Sequence, residues 1–181
     1  MKLFTLIACT FLLMVSYSAQ AQKNLINNGS FENDLDDWTN GSVAKTTPWD
    51  IKAGKASCAI ISPNTINWMG IEQVIRIPKN TLGLEFSAWL KTINVIRGES
   101  EWMGAVYSID FLDKADKKIG DGVNIARLTG DNNWEQFKKA VKLPAGAVSF
   151  KILIAMGNAS GTMLADNVWA KVISADEVAK L

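Results

Sequence analysis

Apolar and polar residues alternate with a period of two in segments of about four to eight residues, separated by Gly, Asn, Asp and Pro. In Gly70 to Pro78, Ile71, Ile75 and Ile77 fall on one face, and Glu72 and Arg76 on the other. Leu84, Phe86, Ala88 and Leu90 alternate with Glu85, Ser87, Trp89 and Lys91. Ala105, Tyr107, Ile109 and Phe111 alternate with Val106, Ser108 and Asp110, and Phe137, Val141 and Leu143 oppose Gln136, Lys138 and Lys142. Val148 to Met156 is a denser apolar run, which predicts a strand covered on both faces. Asp113 to Lys118 reads as a charged hairpin tip. No long amphipathic helix is present, and Ser174 to Lys180 reads as a last turn or a frayed tail. The pattern predicts an all-β chain, a β-sandwich of two antiparallel sheets.

The first residues break this pattern. Met1-Lys2, an apolar run from Leu3 to about Val15 and an ending at Ala19-Gln-Ala21 describe a secretory signal cleaved after Ala21. The run is shorter than the roughly 20 residues of a spanning helix. A competing lipobox, Leu6-Ile-Ala-Cys9, is disfavoured because the apolar run continues past Cys9. The expected organisation is a signal over 1–21, one domain over 22–174 and a tail over 175–181, secreted or periplasmic and monomeric. Cleavage leaves Cys58 as the one cysteine, so no internal disulfide forms; its apolar setting suits a buried thiol.

Charge and chemistry narrow the functions. With 19 basic and 18 acidic residues and no basic run, the chain offers no electrostatic attraction for nucleic acid or anionic lipid. The absence of histidine removes Ser-His and Cys-His nucleophile arrangements and disfavours zinc. No phosphate-cradling loop or dinucleotide fingerprint is present.

Two signatures stand at opposite ends of the domain: Asn24-Leu-Ile-Asn-Asn-Gly-Ser-Phe-Glu32, followed by Trp38, and Gly161-Thr-Met-Leu-Ala-Asp-Asn-Val168. With Leu84 to Lys91 and the segment Trp134 to Ala147, which contains a Pro144-Ala-Gly turn, they resemble the carbohydrate-binding modules of families four, nine and twenty-two. The resemblance implies a galactose-binding-like jelly roll in which the first and last strands lie together and share a structural calcium ion. Its ligands would be the Ser30 carbonyl, the Glu32 carboxylate, the Lys55 carbonyl and Asp166, a mixture of oxygens that calcium accepts. The chain departs from the family at Ala165, where a second acidic residue is often found. The plainer reading is that Glu32 and Asp166 cap turns.

Strand phase also singles out aromatics. Trp68 shares its phase with Glu72 and Arg76, Trp102 with Ser108 and Asp110, and Trp89 with Ser87 and Lys91. An indole on the polar face of a strand suits stacking on the apolar face of a pyranose ring. Trp68 with nearby Glu72 also resembles the platform tryptophan and glutamate of the xylan-binding members. Trp68, Glu72, Arg76 and Trp102 are therefore the candidate carbohydrate contacts; the competing role is packing at the ends of the sandwich. Trp38, Trp134 and Trp169 are assigned to packing, and Trp49 to either role. The expected function is a secreted, non-catalytic module that binds a polysaccharide or oligosaccharide. A partner-binding domain of the same fold and a small lyase or hydrolase are the alternatives.

Overall fold

A computed structural model describes residues 23–181, so the expected signal 1–21 and Cys9 lie outside the described residues. The strands are β1 (Ala44–Thr47), β2 (Ser57–Ser62), β3 (Trp68–Arg76), β4 (Gly83–Arg97), β5 (Gly104–Leu112), β6 (Lys118–Leu128), β7 (Gly130–Lys142), β8 (Ser149–Gly157) and β9 (Ala159–Val172). They form a five-stranded sheet of order β1-β2-β9-β4-β7 and a four-stranded sheet of order β3-β8-β5-β6. Every strand pairing is antiparallel. The predicted sandwich is the observed architecture.

The core lies between the sheets, where alternation places the apolar face of each strand. Leu84, Phe86, Ala88 and Leu90 of β4 face Tyr107, Ile109 and Phe111 of β5 and Phe150, Ile152 and Ile154 of β8, all buried. Phe86 meets Phe150 edge-on at 5.1 Å and Phe111 at 6.3 Å, the geometry favoured by the ring quadrupoles. Gln73 is the polar exception on the inner side of β3. Its side chain accepts from the Asn27 amide and donates to the Asn27 carbonyl, which ties the N-terminal segment to the sheet.

The two end signatures meet at β9. Leu25 donates to the Ala170 carbonyl, and Val168 to the Gly29 carbonyl. Gly29 is required there, because a Cβ would collide with the Val168 carbonyl oxygen. Trp38 is buried, stacks on Phe31 at 5.4 Å and donates its indole N–H to the Asn28 carbonyl. Opposite β4, an extra residue in β9 shifts the register between Asp166 and Trp169, and Asn167 takes φ 47°. This bulge resets the alternation, so Ala165, Val168 and Ala170 all point inward.

Alternation alone did not predict β6, which is interrupted by Gly120 and Gly122 at positive φ. Beyond β9, the helical turn α1 (Ala175–Val178) is closed by a capping box between Ser174 and Glu177. Its Val178 is buried over Gly83.

Candidate functional site

The outer face of the four-stranded sheet carries the candidate carbohydrate site. Trp68 begins β3 and pairs with Gly157 at the end of β8, which pairs on its other side with Gly104 of β5. Trp102 lies in the turn just before β5. The two indoles stack with centroids 6.4 Å apart and planes 29° apart. Trp68 is 46% exposed and Trp102 50% exposed, so neither is filling the core. Gly157 makes room for this pair: a Cβ there would sit 2.5 Å from the Trp68 ring.

Beside the indoles opens a cavity of about 450 Å³. Its polar lining includes Ser108 and Asp110 of β5, with Lys118, Asp121, Asn124 and Arg127 of β6. The Lys118 ammonium meets Asp110 at 2.8 Å, and the Lys151 ammonium of β8 meets Glu72 at 3.5 Å. Glu72 is held by the sheet edge as well, since its backbone exchanges hydrogen bonds with Thr39. The face therefore combines a flat aromatic wall with fixed donors and acceptors.

Arg76 shares this face but stands at the other end of β3. Eight residues at about 3.3 Å each separate it from Trp68 by roughly 26 Å. It lines a different cavity, with Lys79 and Lys114. Ser108 and Asp110 were legible from strand phase. The β6 residues and Lys151 were not, because β6 is broken by glycines and β8 is a dense apolar run.

The candidate calcium residues gather around the connection between β1 and β2. Asp166 is 0% exposed, and its carboxylate accepts from the amides of Lys52, Ala53 and Asn167 at 2.9, 3.0 and 2.7 Å. Glu32 accepts from the amides of Lys55 and Ala56 at 2.8 and 3.3 Å. Ser30 ends the turn before Phe31, and Glu32 opens the next one. Burial pushes the Asp166 carboxyl above its ordinary range, the three amides oppose this, and the Glu32 charge adds to the rise. No Lys or Arg pairs with either carboxylate among the described residues. No cluster of three or more His, Cys, Asp or Glu side chains forms there either. The contacts given to both carboxylates are main-chain amides, the arrangement of turn caps, while their oxygens are also of the type that calcium accepts.

The opposite sheet presents other aromatics. Trp89 lies on its outer face beneath the Lys52 ammonium, 3.9 Å from the ring centroid. Trp134 donates its indole N–H to Asp50, which also pairs with Lys91 at 2.7 Å. These contacts clamp the loop that presents Trp49, 91% exposed. Trp169 is also partly exposed on this outer face, because the β9 bulge turns it outward.

No family model and no curated protein matches the sequence. Solved structures do. The enzymatically active domain of tailspike protein 4 from bacteriophage CBA120 matches with a TM-score of 0.66 and 19% identity over 83% of this chain. The chain spans about a fifth (21%) of that domain's length. A family 16 carbohydrate-binding module matches with a TM-score of 0.58 and 18% identity, covering 81% of this chain and 99% of the module. The CBM22-1 xylan-binding domain of Paenibacillus barcinonensis Xyn10C matches at 0.59 and 20%, covering 87% and 99%. TmCBM61 in complex with β-1,4-galactotriose matches at 0.57 and 14%, covering 84% and 100%. The chain has the β-sandwich fold of the carbohydrate-binding modules.

Proposed function

We propose that the mature chain is a secreted, non-catalytic carbohydrate-binding module that holds a β-linked polysaccharide against Trp68 and Trp102. One observation carries the reading: two half-exposed indoles stack on each other beside a polar groove. Indole faces take the apolar C–H face of a pyranose, and Ser108, Asn124 and Asp110 offer partners for its hydroxyls. A half-exposed aromatic pair outside the core is otherwise a poor use of apolar surface. Among the similar structures, one is a xylan-binding domain and another holds β-1,4-galactotriose, which supports a β-1,4-linked ligand.

Binding without cleavage is the better reading of the carboxylates. A glycosidase opposes two acids across the scissile bond. Here Glu72 is engaged by Lys151 and Asp110 by Lys118. A structural calcium ion held by Glu32, Asp166 and the Ser30 and Lys55 carbonyls would neutralise the buried Asp166 and the exposed Glu32 beside it, and join the first turn to β9.

Isothermal titration against xylan, β-1,4-galactan, glucomannan and mixed-linkage glucan tests the reading. Trp68→Ala is expected to cost about 2 kcal/mol, roughly thirtyfold in affinity. No new reducing ends are expected on prolonged incubation; their release would mark an enzyme. A second reading, a partner-binding domain, draws on the rigidly presented and almost fully exposed Trp49. It is favoured if Trp49→Ala abolishes capture of a protein partner while glycans fail to bind.

A further inference from the structure

A second cavity, of about 350 Å³, opens at the end of the sandwich beyond β3, lined by Arg76, Lys79 and Lys114 over Ile77, Leu143 and Val148. Its lining includes three cations and no carboxylate. All three cations are exposed, and none forms an ion pair among the described residues. Elsewhere Lys91, Lys118, Lys151 and Lys171 each meet an acid within 4 Å. Asp113, next to Lys114, accepts instead from the amides of Ala115 and Lys117 and so closes its own turn.

The rim is built into the fold. Ile77 donates to the Val148 carbonyl at 3.0 Å, and Val148 to the Leu112 carbonyl at 2.9 Å, which ties together the ends of three strands. Thr81 donates its hydroxyl to the Pro78 carbonyl at 2.8 Å, setting the adjoining turn. Three like charges around an apolar floor repel one another and attract an anion. A guanidinium with two ammonium groups suits a carboxylate or sulfate, and the apolar floor suits a sugar ring.

We propose that this cavity takes an anionic sugar unit, through its uronate carboxylate or sulfate ester, from an acidic polysaccharide. The same polymer then runs from Arg76 along β3 to Trp68 and Trp102, roughly 26 Å away. This inference rests on the glycan-binding reading and narrows its ligand class to acidic polymers.

The test is affinity electrophoresis of wild type, a Lys79→Gln/Lys114→Gln double variant and Trp68→Ala, each checked for folding by circular dichroism. The gels contain polygalacturonate, a sulfated galactan, neutral xylan or neutral galactan, at low and high salt. Wild type is expected to bind an acidic polymer more tightly than neutral ones, with the two acidic gels separating uronate from sulfate. The double variant is expected to lower the acidic-to-neutral affinity ratio about tenfold, as is high salt. Trp68→Ala is expected to weaken binding to every polymer that wild type binds. Neutral glycans bound as well as acidic ones, or a ratio unmoved by the double variant, would overturn the inference while leaving glycan binding intact. Displacement of the polymer by equimolar inorganic sulfate would also overturn it, marking a site for free anions. No retardation in any gel would remove the glycan reading and this inference together.

Discussion

Gly157 sets the position of the aromatic wall. The Trp68 ring lies against its Cα, and even a methyl group would press into the indole at 2.5 Å. Gly157→Ala is therefore expected to displace Trp68 without removing it, lowering glycan affinity about tenfold with little loss of stability. Comparing titration with thermal unfolding separates the two effects. Deeper in the core, the Tyr107 hydroxyl is buried without a hydrogen-bond partner among the described residues, and burial pushes its pKa far above the usual phenol range. Tyr107→Phe removes an unsatisfied polar group and is expected to raise stability by about 1 kcal/mol, seen as a higher urea midpoint. Cys58 is pushed up from 9.0 to about 12 by burial, so a thiol reagent should react with it only after unfolding. Below about pH 9 the thiol is neutral in both states and nothing is lost, whereas from 9 to 12 only the unfolded thiol ionises and stability falls.

At the scale of elements, the connection between β1 and β2 decides the calcium question. Its amides hold both Glu32 and Asp166, and Asp166 is raised by burial and by the Glu32 charge. An ion that binds only the folded chain adds about 2.7 kcal/mol at a hundred times its Kd. Calcium is thus expected to raise the Tm, and Asp166→Asn to abolish the increase. The gain should shrink as acid protonates Asp166, since a neutral carboxyl is a poor ligand. A Tm indifferent to calcium and chelator would leave Glu32 and Asp166 as turn caps. This region was legible through the resemblance of the two end signatures, whose turns here pass through Asn28 and Asn167 at positive φ. Trp169, expected from the end signatures to pack, is instead partly exposed on the outer face. Strict alternation carries no record of a bulge, and one extra residue at Asn167 turns Val168 inward and Trp169 outward. In β6, Gly120 and Gly122 erased the period-two pattern that marked the other long strands.

Across the whole molecule, pairing of distant segments creates the proposed site. Strand phase placed Trp68, Glu72 and Trp102 on polar faces, but their common sheet depends on β8 lying between β3 and β5. That order also explains why Trp89, equally polar in phase, ends on the opposite side of the sandwich from Trp68. Arg76 has the right face and the wrong end for the aromatic groove, a distinction along the strand axis that alternation cannot make. The outer face of the four-stranded sheet is consequently aromatic at one end and leads at the other to the cations Arg76, Lys79 and Lys114, with the paired charges Glu72–Lys151 and Asp110–Lys118 between.

Trp68 and Trp102 are the proposed sugar platform. Isothermal titration of calcium-loaded wild type, Trp68→Ala and Trp102→Ala against a panel of neutral and acidic polysaccharides measures it directly. Wild type is expected to bind at least one polymer, and each substitution to weaken that binding by tenfold or more while unfolding stays cooperative. Folded wild type that binds none of the polymers, or binding unchanged by both substitutions, would contradict it.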